Sequence, residues 1–330
     1  MLDAESLVGH KSQLQLLNRM IDSSTIPHAL LFSGPEAIGK RLAAFSFSAS
    51  LLAPKSDVQG AAVSRTAALS QVWSNTFPDF HVLAREHDAR DISVENVRSL
   101  CDELMLKPYY GGRRAAIIND AHRMSLAAAN ALLKTLEEPP PSTHIILITH
   151  APHRLPPTVV SRCQQVHFAP LPAAEISAVL QRLLAACGLS GSTAKELSSL
   201  CDGTLSALQL DPYLDPATSQ PNDIAALTEH FEELSTKVKA LRKQCRALAA
   251  ERPTVSNVTR VCQSLFGTKE QLPLARTIAR QEVRRRLLEG PSESRANALI
   301  RFLEAERLID SRSAQAELQL SAAMIQAYCR

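Results

Sequence analysis

Three consecutive prolines, Pro139 to Pro141, constrain this chain more than any other feature. Ahead of them, Leu126, Ala129, Leu133 and Leu136 recur at helical spacing, which predicts an amphipathic helix over Leu126 to Glu138. Proline lacks an amide proton and fixes φ, so the helix must stop there. Beyond them, His144 to Thr149 is β-branched and aliphatic with no polar alternation. A run of that kind suits a strand covered on both faces, as in a parallel sheet. A Pro-rich loop then leads to Ser161-Arg162-Cys163.

A second strand-loop-helix unit precedes this one. His28 to Phe32 is a short apolar run, followed by Gly34-Pro35-Glu36-Ala37-Ile38-Gly39-Lys40-Arg41, and a helix is expected from Lys40 to about Leu52. The spacing G-x-x-x-x-G-K in that setting is a phosphate-binding loop. Gly34 and Gly39 let backbone amides face phosphate oxygens, and Lys40 brings charge to the outer phosphates at a helix N-terminus. The next residue should carry a hydroxyl for Mg²⁺. Arg41 stands there instead and cannot ligate a cation.

Bulk numbers set the frame. A chain of 330 residues can bury a sizeable core and form two or three domains. Its 45% hydrophobic and 21% charged content is ordinary for a globular protein. A net charge of +3 does not by itself argue for nucleic acid. No apolar run approaches the ~20 residues of a membrane span, and no leader pattern opens the sequence. Seven scattered cysteines without a C-x-x-C pair read as reduced thiols, so a cytoplasmic location is expected. The segment Ala53 to Pro78 holds no cysteine and is expected to be a small loop or helix pair on the surface.

Further elements follow in order. Leu7 to Ile21 reads as a helix with Leu14, Leu17 and Ile21 on one face, and Ile92 to Met105 as another. Gly111-Gly112 makes a turn into a strand over Ala115 to Asp120. Leu171 to Leu210 reads as three short helices, and 210–223, with Pro212, Pro216 and Pro221, as a linker. From Ile224 through Leu227, Phe231, Leu234, Val238, Leu241, Cys245 and Leu248 the apolar spacing alternates three and four, a heptad seam. It suits a coiled-coil dimer or the buried stripe of a bundle helix, and the helical surroundings favour the bundle. Arg284, Arg285 and Arg286 form a basic run that reads as a solvated face before it reads as a DNA contact. Ala296 to Ala305 and Ala314 to Tyr328 read as closing helices.

The run N-A-L-L-K-T-L-E-E-P-P, then a strand, then S-R-C, resembles the ATPase-domain subunits of the bacterial clamp loader and, more distantly, replication factor C. Val8-Gly9-His10, Phe77-Pro78-Asp79-Phe80, Lys107 to Arg114 and Asp202 to Leu208 resemble further boxes of the same family. The resemblance implies an α/β P-loop NTPase (AAA+) domain with a parallel sheet over 1–170, a small helical lid over 171–211, and an all-α collar over 212–330 that oligomerises. In active relatives the strand Ala115 to Asp120 ends in Asp-Glu, which supports Mg²⁺ and activates water. Here those positions are Asn119 and Asp120. Thr149 falls where relatives sense the γ-phosphate, and Ser206 where active members carry a nucleotide-reading arginine. Arg162 corresponds to an arginine finger that enters a neighbour's ATP site, with Ser161 orienting the turn.

What the resemblance implies is a ring member without ATPase activity of its own, accessory to a DNA-directed DNA polymerase. It would work beside gamma/tau and delta subunits to load a sliding clamp on primed DNA, away from any membrane. Weak ATP binding at the loop stays open. No zinc is expected, since many relatives hold a cysteine zinc module within 53–78 and this chain has no cysteine there. The rival readings are a gamma/tau-type subunit that hydrolyses ATP, a self-associating helical protein and a ring helicase of the same superfamily.

Overall fold

The structure is a computed structural model that describes residues 8–53, 65–85, 91–110, 112–189, 191–210, 224–250, 258, 261–262, 272–289, 293–309, 320–322, 324–325 and 327. The expected linker after Leu210, the turn residue Gly111 and most of 314–328 lie outside these residues. Contacts divide the chain into two compact units. The first comprises Met1–Val179, Asp202–Leu205 and Gln209–Asp223, and the second Leu180–Cys201, Ser206–Leu208 and Ile224–Arg330.

The first unit is built on five parallel strands: β1 (Ala29–Ser33), β2 (Phe80–Leu83), β3 (Arg114–Ile118), β4 (Thr143–Thr149) and β5 (Gln164–His167). Their order is β2-β3-β4-β1-β5. Every residue of β1, β3 and β4 is buried. Alternate side chains feed two cores, as the period of two demands. Leu30, Phe32, Ala115, Ile117, Ile146 and Ile148 face one layer. Ala29, Leu31, Ala116, Ile118, Ile145 and Leu147 face the other.

Helices α1 (Lys11–Asp22), α2 (Lys40–Leu52) and α3 (Arg65–Trp73) cover the first face. The onset of α1 falls later than its apolar spacing predicts, because Gly9 and His10 both take positive φ, 87° and 52°. Within the segment expected to lie on the surface, α3 is instead part of the core. Ala68 and Val72 are fully buried, and Trp73 stacks on Phe45 at 5.8 Å. Helices α4 (Val94–Met105), α5 (Leu126–Glu137) and α6 (Pro157–Val160) cover the second face. Ser93 and Ser125 cap α4 and α5 by accepting from the amides of Asn96 and Ala128. The buried face of α5 is Ala128, Ala129, Leu132, Thr135 and Leu136, so the predicted stripe is rotated and Leu126 is 71% exposed. Strand β3 also ends early. Asn119 and Asp120 form a turn, Asp120 in the left-handed region at φ 49°.

One buried ion pair ties the sheet edge together. The Arg114 guanidinium meets the Asp79 carboxylate at 3.1 Å and donates to the carbonyls of Glu103, Leu106 and Lys107. Asp79 also accepts from the amides of Tyr109 and Tyr110. Thus β2, the end of α4 and β3 share one polar node.

Helices α7 (Ala173–Ala186) and α8 (Gly191–Ser198) precede a short 3-10 turn at Ser206–Leu208, in place of a third helix. The second unit is helical: α9 (Ile224–Ala250), α10 (Leu272–Glu289) and α11 (Glu293–Ile309). The seam residues Leu227, Phe231, Leu234, Val238, Leu241 and Cys245 of α9 are all buried within this single chain. They pack where α9 meets α8 and α10, so the heptad stripe belongs to a bundle. Burial pushes the Cys245 thiol up to about 12. On α10, Arg285 pairs with the buried Glu282 at 2.7 Å and with the exposed Glu289 at 2.9 Å.

Replacing Asp79 by Ala strands a buried guanidinium, so denaturant unfolding should show a loss of about 3–5 kcal/mol. Lys237→Ala, which removes a surface pair with Glu233, should cost far less in the same measurement.

Candidate nucleotide-binding site

The carboxyl edge of the sheet gathers the candidate residues. Strand β1 ends at Ser33 opposite Thr149, the last residue of β4. The glycine loop leaves the first and a turn containing His150 leaves the second. Gly34 has φ 147°, and a Cβ there would lie 2.1 Å from the carbonyl oxygen of Phe168. Gly39 has φ 96° at the head of α2. No other residue type fits either position without strain.

Protein groups hold the loop through its carbonyls. The His10 ring donates from Nε2 to Ile38 at 2.8 Å, and the Leu205 amide donates to Ala37 at 3.1 Å. The Lys40 ammonium donates to Gly34 at 2.9 Å and to Pro35. Lys40 is thus folded onto its own loop and is buried. Burial is the main reason that His10 titrates below the usual histidine range, with the nearby Lys40 charge acting in the same direction.

The residues at the positions associated with metal make contacts within the fold. Arg41 lies over the ring of Phe45, 5.8 Å from its centroid, a cation–π contact that turns it into the hydrophobic layer. The Asn119 amide donates to Leu83, and Asp120 starts a 3-10 turn over Ala121–Arg123. The Thr149 hydroxyl is buried and accepts from the Ala151 amide at 3.0 Å. Ser206 opens the 3-10 turn in the other compact unit.

Arg162 is elsewhere. It lies in the turn between α6 and β5, and the first residue of β5, Gln164, pairs with Leu30 at the start of β1. The loop leaves β1 at its other end, after Ser33. About 10 Å of strand separates these levels, and Arg162 lies two residues further back, so it is not presented to its own loop. Its guanidinium pairs with Glu137 at 2.5 Å and donates to the Thr158 carbonyl at 2.9 Å. The side chain is 35% exposed. Ser161 is exposed and donates to the same carbonyl at 3.1 Å. Cys163 is buried, and its thiol is pushed up to about 11 by that burial.

Motif reading missed four aromatic or imidazole groups at this edge. The Phe168 carbonyl fills the space that a Cβ at Gly34 would take, and the Phe168 ring packs against the His10 ring at 5.0 Å. His122 and His150 face one another with ring centroids 4.1 Å apart. Burial, then the neighbouring His150, lowers His122 to about 4. Only His10 carried a signal, its place beside Gly9 in a family box.

A strand, a glycine loop and a lysine-headed helix on a β2-β3-β4-β1-β5 parallel sheet define a P-loop nucleotide-binding domain. Residues 9–172 match the family described as DNA polymerase III, delta subunit. Through these residues the chain belongs to the clamp-loader subunit family of DNA polymerase III. It is 38% identical over 183 residues to the DNA polymerase III subunit delta' of Pseudomonas aeruginosa, an alignment covering 52% of this chain and 55% of that protein. It is 31% identical to the subunit tau of Bacillus subtilis over 67% of this chain and 38% of the relative. The chain therefore spans about half the length, or less, of these relatives. A gamma subunit-related protein of DNA polymerase III from Thermotoga maritima aligns over 96% of this chain and 100% of its own, with TM-score 0.49 and 20% identity. Among the described residues no helix is long and apolar enough to cross a membrane.

His10 and His144 are both held neutral chiefly by burial, and each bonds a backbone carbonyl. A histidine depressed in the folded state is protonated first in the unfolded chain, near pH 6.5. Stability should therefore fall as pH drops from about 7.5 to about 5.5, with no contribution from these groups above that window. A melting temperature that stays level or rises on acidification through that range would contradict this, and His144→Gln should flatten the slope.

Proposed function

We propose that this chain acts as a delta-prime-type subunit of the DNA polymerase III clamp loader. In that role it is a ring member that does not hydrolyse ATP. It stands beside gamma/tau and delta subunits and lends Arg162 to an adjacent ATP site while a sliding clamp is loaded on primed DNA. Its parts would be a nucleotide-type domain over 1–170, a lid over 171–211 and a collar over 212–330, in an accessory subunit of a cytoplasmic DNA-directed DNA polymerase.

The observation that carries this reading is the opposition between the two ends of β1. The end with the loop has Arg41 turned onto Phe45 and the neutral Asn119 at the end of β3, so two positions associated with magnesium in active relatives are altered. The other end has a partly exposed guanidinium held by the exposed Glu137 carboxylate and by the Thr158 carbonyl. An exposed ion pair of this kind contributes about 0–1 kcal/mol, so releasing Arg162 costs little. A guanidinium matches phosphate geometry with two parallel donors. Phosphoryl transfer depends on positioning and on charge supplied to the transition state, which a neighbour can provide.

A gamma/tau-type motor is the second reading. Gly39 and Lys40 are intact, and the tau relative aligns over more of this chain than the delta' relative does. Two experiments separate them. The purified chain with Mg²⁺ should show no ATP turnover, and brisk magnesium-dependent turnover would establish the motor reading instead. In a reconstituted complex, Arg162→Ala should slow the one site it serves by about 10³-fold or more and leave assembly intact on gel filtration. Unchanged turnover in that complex would overturn the proposed role.

A further inference from the structure

Asp120, His122 and His150 converge from two loops at the carboxyl edge of the sheet. One ligand atom from each lies within 4.8 Å of the others. His122 is only 4% exposed, yet neither of its ring nitrogens has a hydrogen-bond partner, and both are buried. A buried polar atom left without a partner destabilises the fold, so a buried imidazole with both nitrogens unsatisfied is an anomaly that calls for a ligand. Asp120 and His150 are half-buried, which gives an ion a way in from solvent.

The geometry points to a binding site for one divalent transition-metal ion of the zinc type, held by Asp120, His122 and His150. Two imidazole nitrogens and one carboxylate oxygen are a donor set that zinc, cobalt and nickel favour and that magnesium, which prefers oxygen, does not. Bonds of about 2.0–2.1 Å place tetrahedral donors about 3.4 Å apart. The present atoms therefore need to close by about 1.4 Å at most, within reach of side-chain rotation at Asp120 and His150. Three protein donors leave a fourth position for water or an exogenous ligand. The site shares no residue with the cysteine-type zinc module considered for 53–78. It is independent of the role proposed for Arg162, which leaves from the other edge of the sheet.

The test uses the full chain, stripped with a chelator and titrated with Co²⁺ while the visible d–d absorption is followed. One equivalent should bind, Zn²⁺ should displace it, and millimolar Mg²⁺ should not. His150→Gln and Asp120→Asn, at half-buried positions, should each weaken Co²⁺ binding about tenfold or more with an unchanged far-ultraviolet circular dichroism spectrum. Cys163→Ser should bind as the parent does. One equivalent of Zn²⁺ should raise the melting temperature of the parent chain and not that of His150→Gln. Absence of stoichiometric Co²⁺ binding, displacement by Mg²⁺, or binding that survives both ligand substitutions would overturn the site.

Discussion

The pairing of β1 with β4 is the constraint on which the nucleotide-type unit depends. Both strands are buried along their whole length, and their register sets Ser33 level with Thr149. A parallel pair places both carboxyl ends on the same edge, so the loops that follow must share that edge. The glycine loop, the Asn119-Asp120 turn and His150 are brought to one edge by strand order. The same register sends the approach to β5, and with it Arg162, to the opposite edge. A one-residue slip between β1 and β4 would put the wrong side chains in both cores.

On the proposed reading, side chains at the loop end serve packing in place of metal chemistry. A hydroxyl after Lys40 would face a cation, whereas the longer Arg41 settles over Phe45 and becomes part of the packing against α2. The Asn119 backbone N–H donates to the Leu83 carbonyl, extending the β2-β3 pairing by one bond. The loop keeps its backbone shape because Gly34 and Gly39 have no substitutes and because His10 and Leu205 hold its carbonyls.

Much of this was legible in the sequence. The apolar run at His144 to Thr149 announced a strand buried on both faces, and the glycine spacing announced the loop. The boxes around Asp79 and Arg114 could be read individually, but their union as a buried ion pair could not, since they stand 35 positions apart. The face of α5 was misjudged because its buried side uses Ala128, Ala129 and Thr135, small residues that carry little hydrophobic signal. The placement of α3 was missed because its polar content hid two fully buried positions, Ala68 and Val72. Isolated histidines at 122 and 150 have no recognisable spacing. Only the parallel arrangement of β3 and β4 makes them neighbours.

The carboxylate that holds Arg162 deserves to be read as a competitor. Glu137 offers one negative charge in a solvated setting, whereas a triphosphate offers several on closely spaced oxygens. On the proposed reading, moving the guanidinium from one to the other is an exchange of anions whose balance depends on how much charge the receiving nucleotide carries. A diphosphate would compete less well for it. The side chain would then distinguish the fuel from its product across a boundary between subunits, with no moving part beyond a single rotamer.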